Sequence, residues 1–124
     1  MPNARAQRVL VVEDESLVAM LVEDILVDSG YDVIVAMRLE AGLSLAREAD
    51  VHLAVLDVNL GEGNSYPIAD ILRERGIPFL FATGYGALGL SSAYQGIPTL
   101  QKPYHPDQLI KQVMQLNTSA LFAH

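Results

Sequence analysis

Short apolar runs of strand type alternate with helix-period segments five times along these 124 residues, and this alternation constrains the fold more than any other feature. Val9-Leu-Val-Val12 and Leu53-Ala-Val-Leu-Asp57 are continuously apolar, as expected of strands buried on both faces of a parallel sheet. Parallel neighbours need crossover connections, and each right-handed crossover returns over the sheet, so helices must cover both faces. The pattern predicts an α/β fold: a five-stranded parallel sheet flanked by helices on both faces.

Strands are expected over 9–12, 31–36, 53–58, 77–83 and 97–101. Ser16 is placed to cap a first helix, with Val18, Leu21, Val22, Ile25 and Leu26 on one face and Gly30 closing it. Glu15 suits the positive end of that helix. Leu39, Leu43 and Ala46 mark a second helix ending near Ala49. Ser65 or Tyr66 starts a third, with Pro67 in its first turn and Ile68, Ile71 and Leu72 inward. Pro106 opens the last helix, with Leu109, Ile110, Val113, Met114 and Leu116 at helical spacing. Between them, Gly84, Gly86 and Gly89 each lower helix propensity by up to ~1 kcal/mol, so only a short, mobile helix near 87–94 is expected. The domain spans 8–117, with flexible termini at 1–7 and 118–124. Tyr94 and Tyr104 are read as packing residues.

With 51% hydrophobic residues, the chain can bury roughly two-thirds of its unfolded surface as one domain. A net charge of -7 argues against nucleic acid and anionic membranes as partners, and favours proteins and divalent cations. The absence of cysteine excludes thiol chemistry and thiolate metal sites, and His52, His105 and His124 share no metal-ligand spacing. No apolar run approaches the ~20 residues of a membrane span, and the polar N-terminus does not resemble a signal peptide. A soluble cytoplasmic protein is expected.

The Leu53–Asp57 run delivers one carboxylate to its end and then breaks into Gly61-Glu-Gly63-Asn64-Ser65. In open α/β sheets, functional groups gather beyond the carboxyl ends of the strands. Glu13, Asp14, Asp57, Thr83 and Lys102 all stand at such ends, so the fold should bring them to one rim. Three carboxylates repel one another unless some are protonated, and a cation is the simplest remedy. An all-oxygen site suits Mg²⁺ or Mn²⁺ rather than zinc. A metal-bound aspartate beside a lysine and a threonine fits phosphoryl transfer. Asp57 would become an aspartyl phosphate, with Lys102 pairing with one phosphoryl oxygen and Thr83 donating to another. Asp14 would ligate the metal, Glu13 would assist through water, and the Asn59 backbone carbonyl would add a ligand.

Val-Val-Glu13-Asp14-Glu15, Leu-Asp57-Val-Asn59, Ala-Thr83-Gly84 and Gln-Lys102-Pro103 together resemble the receiver domains of two-component response regulators, over about Arg8 to Leu116. The resemblance implies a flavodoxin-like receiver fold with strand order 2-1-3-4-5. It also implies phosphorylation of Asp57 by a histidine kinase or phosphotransfer protein. Phe81-Ala-Thr-Gly84-Tyr85 is similar to an alphaproteobacterial subgroup with a Phe-Ala-Thr-Gly signature, often without an output domain, which implies a stand-alone receiver. Most receivers carry a rotating aromatic three residues before the lysine, where this chain has Thr99. Tyr85 is expected to take part of that switch role, or to shield the phosphate. Output would be through a protein partner at the face of helix four, strand five and helix five, or the domain would be a phosphate relay or sink, as a monomer or weak homodimer. It would be no enzyme beyond its own phosphorylation and dephosphorylation. The competing readings are a non-phosphorylated binding module and a Mg²⁺-dependent aspartyl-phosphate phosphatase, whose nucleophile and second aspartate usually follow the first strand together beneath a cap.

Overall fold

In the computed structural model the described residues are 7–61, 63–84, 90–102 and 104–121, with side chains through Asn117. The elements run β1 (Arg8–Val12), α1 (Ser16–Asp28), β2 (Asp32–Ala36), α2 (Leu39–Glu48), β3 (Leu53–Asp57), β4 (Asn59–Leu60), β5 (Gly63–Asn64), α3 (Tyr66–Glu74), β6 (Phe79–Thr83), β7 (Thr99–Gln101) and α4 (Pro106–Leu121). Five strands form one parallel sheet in the order β2-β1-β3-β6-β7. Because β4 and β5 pair separately as a small antiparallel hairpin, this is the expected 2-1-3-4-5 order of the sheet strands.

The continuous apolar strands serve two cores, because successive side chains point to opposite faces. Leu10, Val12, Leu56 and Phe81 join Ala46 of α2 and Ile68 and Leu72 of α3. Val9, Val11, Val55 and Leu80 join Val22 and Leu26 of α1 and Leu109, Val113 and Leu116 of α4. The helices therefore divide two and two across the sheet. Gly42 lets α2 and α3 approach closely: a Cβ there would lie 2.6 Å from Ile68 Cδ1.

Several boundaries differ from expectation for identifiable reasons. Tyr31 is outside β2 because its N–H bonds Leu26 O and closes α1, where Gly30 has φ 95°. β6 and β7 begin only after Pro78 and Pro98, which have no N–H to give to a ladder. Ser16 does not cap α1: Glu15 holds the N-cap position without a side-chain bond to the helix. Likewise Ser65 is the N-cap of α3, but it is the Asn64 side chain that accepts the Tyr66 N–H, at 3.1 Å.

Leu21 is 47% exposed, contrary to the inward face assigned to it. The buried stripe of α1 is Ala19, Val22 and Leu26, and at about 100° per residue Leu21 falls beside that stripe. Met114 of α4 also faces outward. The helix α4 continues to Leu121, four residues past the expected domain boundary at 117.

Of the helix expected near 87–94, residues 85–89 lie outside the described residues, and the described part is a short 3₁₀ turn at Ser92–Tyr94. Tyr94 anchors it. Its ring stacks on Tyr66 at 4.7 Å and meets Phe81 edge-on at 5.5 Å, while its hydroxyl donates to Asp70 Oδ1.

The division of α1 into buried and exposed apolar positions has a direct test in urea unfolding. Leu26→Ala should cost about 2–5 kcal/mol, as for a buried leucine. Leu21→Ala should stay within about 1 kcal/mol, since its surroundings are half solvent and alanine favours the helix.

Candidate functional site

The rim is built by neighbouring strand ends. β1 lies beside β3, β3 beside β6, and β6 beside β7, with Val12 opposite Leu56, Asp57 opposite Ala82 and Thr83 opposite Gln101. Backbone bonds continue the ladders past the strand ends: Glu13 N–H to Ala36 O, Val58 N–H to Ala82 O and Lys102 N–H to Thr83 O. Glu13, Asp57, Thr83 and Lys102 are thus held on adjacent rigid strands despite their separation in sequence.

Lys102 Nζ donates to Asp57 Oδ2 at 3.1 Å. It also lies 2.9 Å from Glu13 Oε1, as a charge contact without hydrogen-bond alignment, and 3.6 Å from Glu15 Oε1. Glu13, Asp57 and Thr83 are buried, at 1%, 5% and 2% exposure. Asp14 is exposed, and its Oδ2 accepts the Gly61 N–H at 2.9 Å, tying the acidic turn after β1 to the loop after β3. Glu13 Oε2 accepts the Glu15 N–H at 3.2 Å.

Burial pushes the Asp57 carboxyl up to about 7; the adjacent Glu13 carboxylate adds to this, and Lys102 only partly offsets them. Burial works against the Lys102 ammonium, but its close contacts with the Glu13 and Asp57 carboxylates outweigh this and hold it above the ordinary lysine value. The hydroxyl of Tyr104, half-buried against the α1/α4 core, is pushed up by burial and then by the charges of Glu13, Asp57 and Glu15.

Carboxylate oxygens of Glu13, Asp14 and Asp57 lie within 4.8 Å of one another and could hold a metal ion. The fit is chemical as well as geometric: the buried Glu13 and Asp57 carboxylates share one ammonium, and Asp57 is driven towards protonation by burial and then by the Glu13 charge. The donors are all oxygen, which suits a hard divalent cation.

Asn59 is exposed at the start of β4, two residues past Asp57 and paired with Asn64. Tyr85 lies outside the described residues. Thr99 stands opposite Phe81, its hydroxyl bonded to Ile97 O at 3.0 Å. Three features were missed from sequence: the approach of Glu15 to Lys102, the β4–β5 hairpin, and Tyr104 beside the acids. The run of three acids before α1 was the available signal for the first.

The raised Asp57 carboxyl gives the metal-free protein a defined pH response. In the unfolded chain this group titrates near ~3.9. Its stabilising contribution is therefore fully present below about pH 4 and is lost as pH rises through about 7. In EDTA, thermal unfolding of Asp57→Asn should occur above wild type at pH 8, and the gap should close towards pH 5. Parallel curves would contradict the assignment.

The family model for the response regulator receiver domain matches residues 9–114. Among curated proteins, the cell cycle response regulator CtrA of Brucella ovis is 28% identical over 113 residues, covering 86% of this chain and 48% of the relative. The chain thus spans about half the length of such relatives. Among solved structures, a CheY-like receiver domain protein from Methanospirillum hungatei superposes with a TM-score of 0.85 at 20% identity, covering 97% of this chain and 100% of the other. A response regulator receiver protein from Sinorhizobium medicae superposes with a TM-score of 0.84 at 24% identity, covering 95% and 99%. With the family model spanning the sheet and every strand end of the rim, this chain belongs to the response regulator receiver domain family.

Proposed function

We propose that this chain accepts a phosphoryl group on Asp57 from a phosphohistidine of a histidine kinase or phosphotransfer protein. The observation that carries the reading is the buried Asp57 carboxylate bonded to Lys102 within a cluster of three acids. The ionised Asp57 oxygen attacks phosphorus, the new P–O bond forms as the P–N bond breaks, and the imidazole leaves with the electron pair. Lys102 turns its ammonium from the carboxylate to a phosphoryl oxygen, and the Thr83 hydroxyl, at the end of the adjacent strand, donates to another. Mg²⁺, or Mn²⁺ in its place, held by Glu13, Asp14, Asp57 and the Asn59 backbone carbonyl, would supply the positive charge that the phosphoryl oxygens need. Its charge would also favour the ionised form of Asp57.

The chain would turn over no separate substrate; hydrolysis of its own acyl phosphate would reset it. The phosphoryl group, with about two negative charges in place of the one on the carboxylate, would draw in Thr83 and Lys102 and be read by a protein partner at the face of the 84–96 segment, β7 and α4, with Tyr85 contributing to the switch. A phosphate relay or sink uses the same chemistry. The acidic surface suits protein partners over nucleic acid, and no helix among the described residues is long and apolar enough to cross a membrane. A cytoplasmic site of action, alone or as a weak homodimer, agrees with a kinase as donor.

Intact-mass measurement after incubation with Mg²⁺ and a small phosphodonor tests the assignment. Wild type should gain one phosphoryl group and Asp57→Asn none. A gain that survives in Asp57→Asn would place the acceptor elsewhere. No gain in wild type, despite Mg²⁺ binding, would leave a binding module that works without phosphorylation.

A further inference from the structure

We infer that Glu15 is a positioning residue for Lys102, holding the ammonium towards solvent in competition with the phosphoryl oxygens that Asp57 would carry. The inference rests on the phosphoacceptor reading of Asp57. A lysine ammonium has three donors, and three carboxylates surround this one: Glu13 at 2.9 Å, Asp57 at 3.1 Å and Glu15 at 3.6 Å. The three are not equivalent. Glu13 and Asp57 are buried within the rim, whereas the Glu15 side chain is 66% exposed and approaches from outside.

The residue type points the same way. Glu15 occupies the N-cap of α1, where serine, threonine, aspartate or asparagine would satisfy the helix N–H groups. The glutamate makes no such bond, so capping does not account for its carboxylate, although its charge suits the positive end of the helix. Its backbone is fixed instead by the site, through the Glu15 N–H bond to Glu13 Oε2, and its side chain reaches Lys102.

A phosphoryl group on Asp57 brings about two negative charges and draws Lys102 inward. Movement of the ammonium towards the phosphoryl oxygens takes it away from the exposed Glu15 carboxylate. Glu15 therefore opposes the phosphorylated arrangement, weakly, because an exposed pair is screened by water and salt.

The test measures the affinity of beryllofluoride, a phosphoryl mimic, for the full chain at saturating Mg²⁺, together with the Lys102 Nζ NMR signal of the metal-free protein. Glu15→Gln removes the charge, and Glu15→Asp keeps it but falls short of Nζ. Both variants should bind the mimic about two- to threefold more tightly, the size an exposed ion pair supports. Both should also shift the Lys102 signal, which a purely structural role at the helix start would leave in place. Tighter binding by Glu15→Gln alone would show a general charge effect and overturn the positioning role, as would unchanged affinity in both variants. Wild type that fails to bind the mimic, or binds it equally as Asp57→Asn, would instead overturn the phosphoacceptor reading.

Discussion

The contact on which the rest of the structure depends is the pairing of Lys102 with the buried carboxylates of Asp57 and Glu13. Two acids at 5% and 1% exposure could not both stay ionised there without a positive group. Burial raises the Asp57 carboxyl to about 7, the Glu13 charge adds to this, and one ammonium offsets the two only in part. The imbalance is what makes the rim a candidate cation site. A site short of positive charge favours a cation, and a cation among oxygen ligands favours phosphoryl oxygens.

Holding these groups together is the task of the parallel sheet. Every strand runs the same way, so the ends of β1, β3, β6 and β7 open onto one edge, and the ladders continue by backbone bonds into Glu13, Val58 and Lys102. The sheet is clamped by apolar cores on both faces, which leaves the rim residues little freedom to move apart. The connections beyond the rim are less regular. The loop after β3 folds into the β4–β5 hairpin, and Asp14 reaches across to the Gly61 N–H, linking the acidic turn after β1 to the loop that follows Asp57.

A second cluster adjoins the first. Phe81 lies two residues before Thr83 on β6, and its ring packs edge-on against both Tyr66 and Tyr94. On the neighbouring strand Thr99 presents a small side chain opposite Phe81, so aromatic cover for that part of the sheet comes from α3 and the 3₁₀ turn instead. Arg73 lies over the Tyr94 ring at 4.6 Å and donates to Ala93 O, fastening the turn to α3. The segment after Thr83 is thus attached through its far end.

Much of this was legible in the residues. Unbroken apolar runs such as Val9–Val12 signal two-sided burial, and five alternations with amphipathic helices leave a parallel sheet as the outcome. The acids, threonine and lysine at the run ends could be named because strand ends of such sheets converge. What sequence could not supply was set by side-chain reach and competition for backbone groups. Leu21 has the spacing of a core residue yet lies beside the buried stripe, because helix orientation is decided by what packs against it. Ser16 and Ser65 look like caps, but Glu13 and Asn64 accept the neighbouring N–H groups instead. Tyr94 became a core ring through contacts with Tyr66 and Phe81, far away in the chain. The amino-acid order by itself determined the fold and which residues meet at the rim, because both follow from local pattern and strand polarity. Only the tertiary structure decided which acids share Lys102 and how strongly Asp57 is perturbed, because those depend on distances between residues brought together from separate strands.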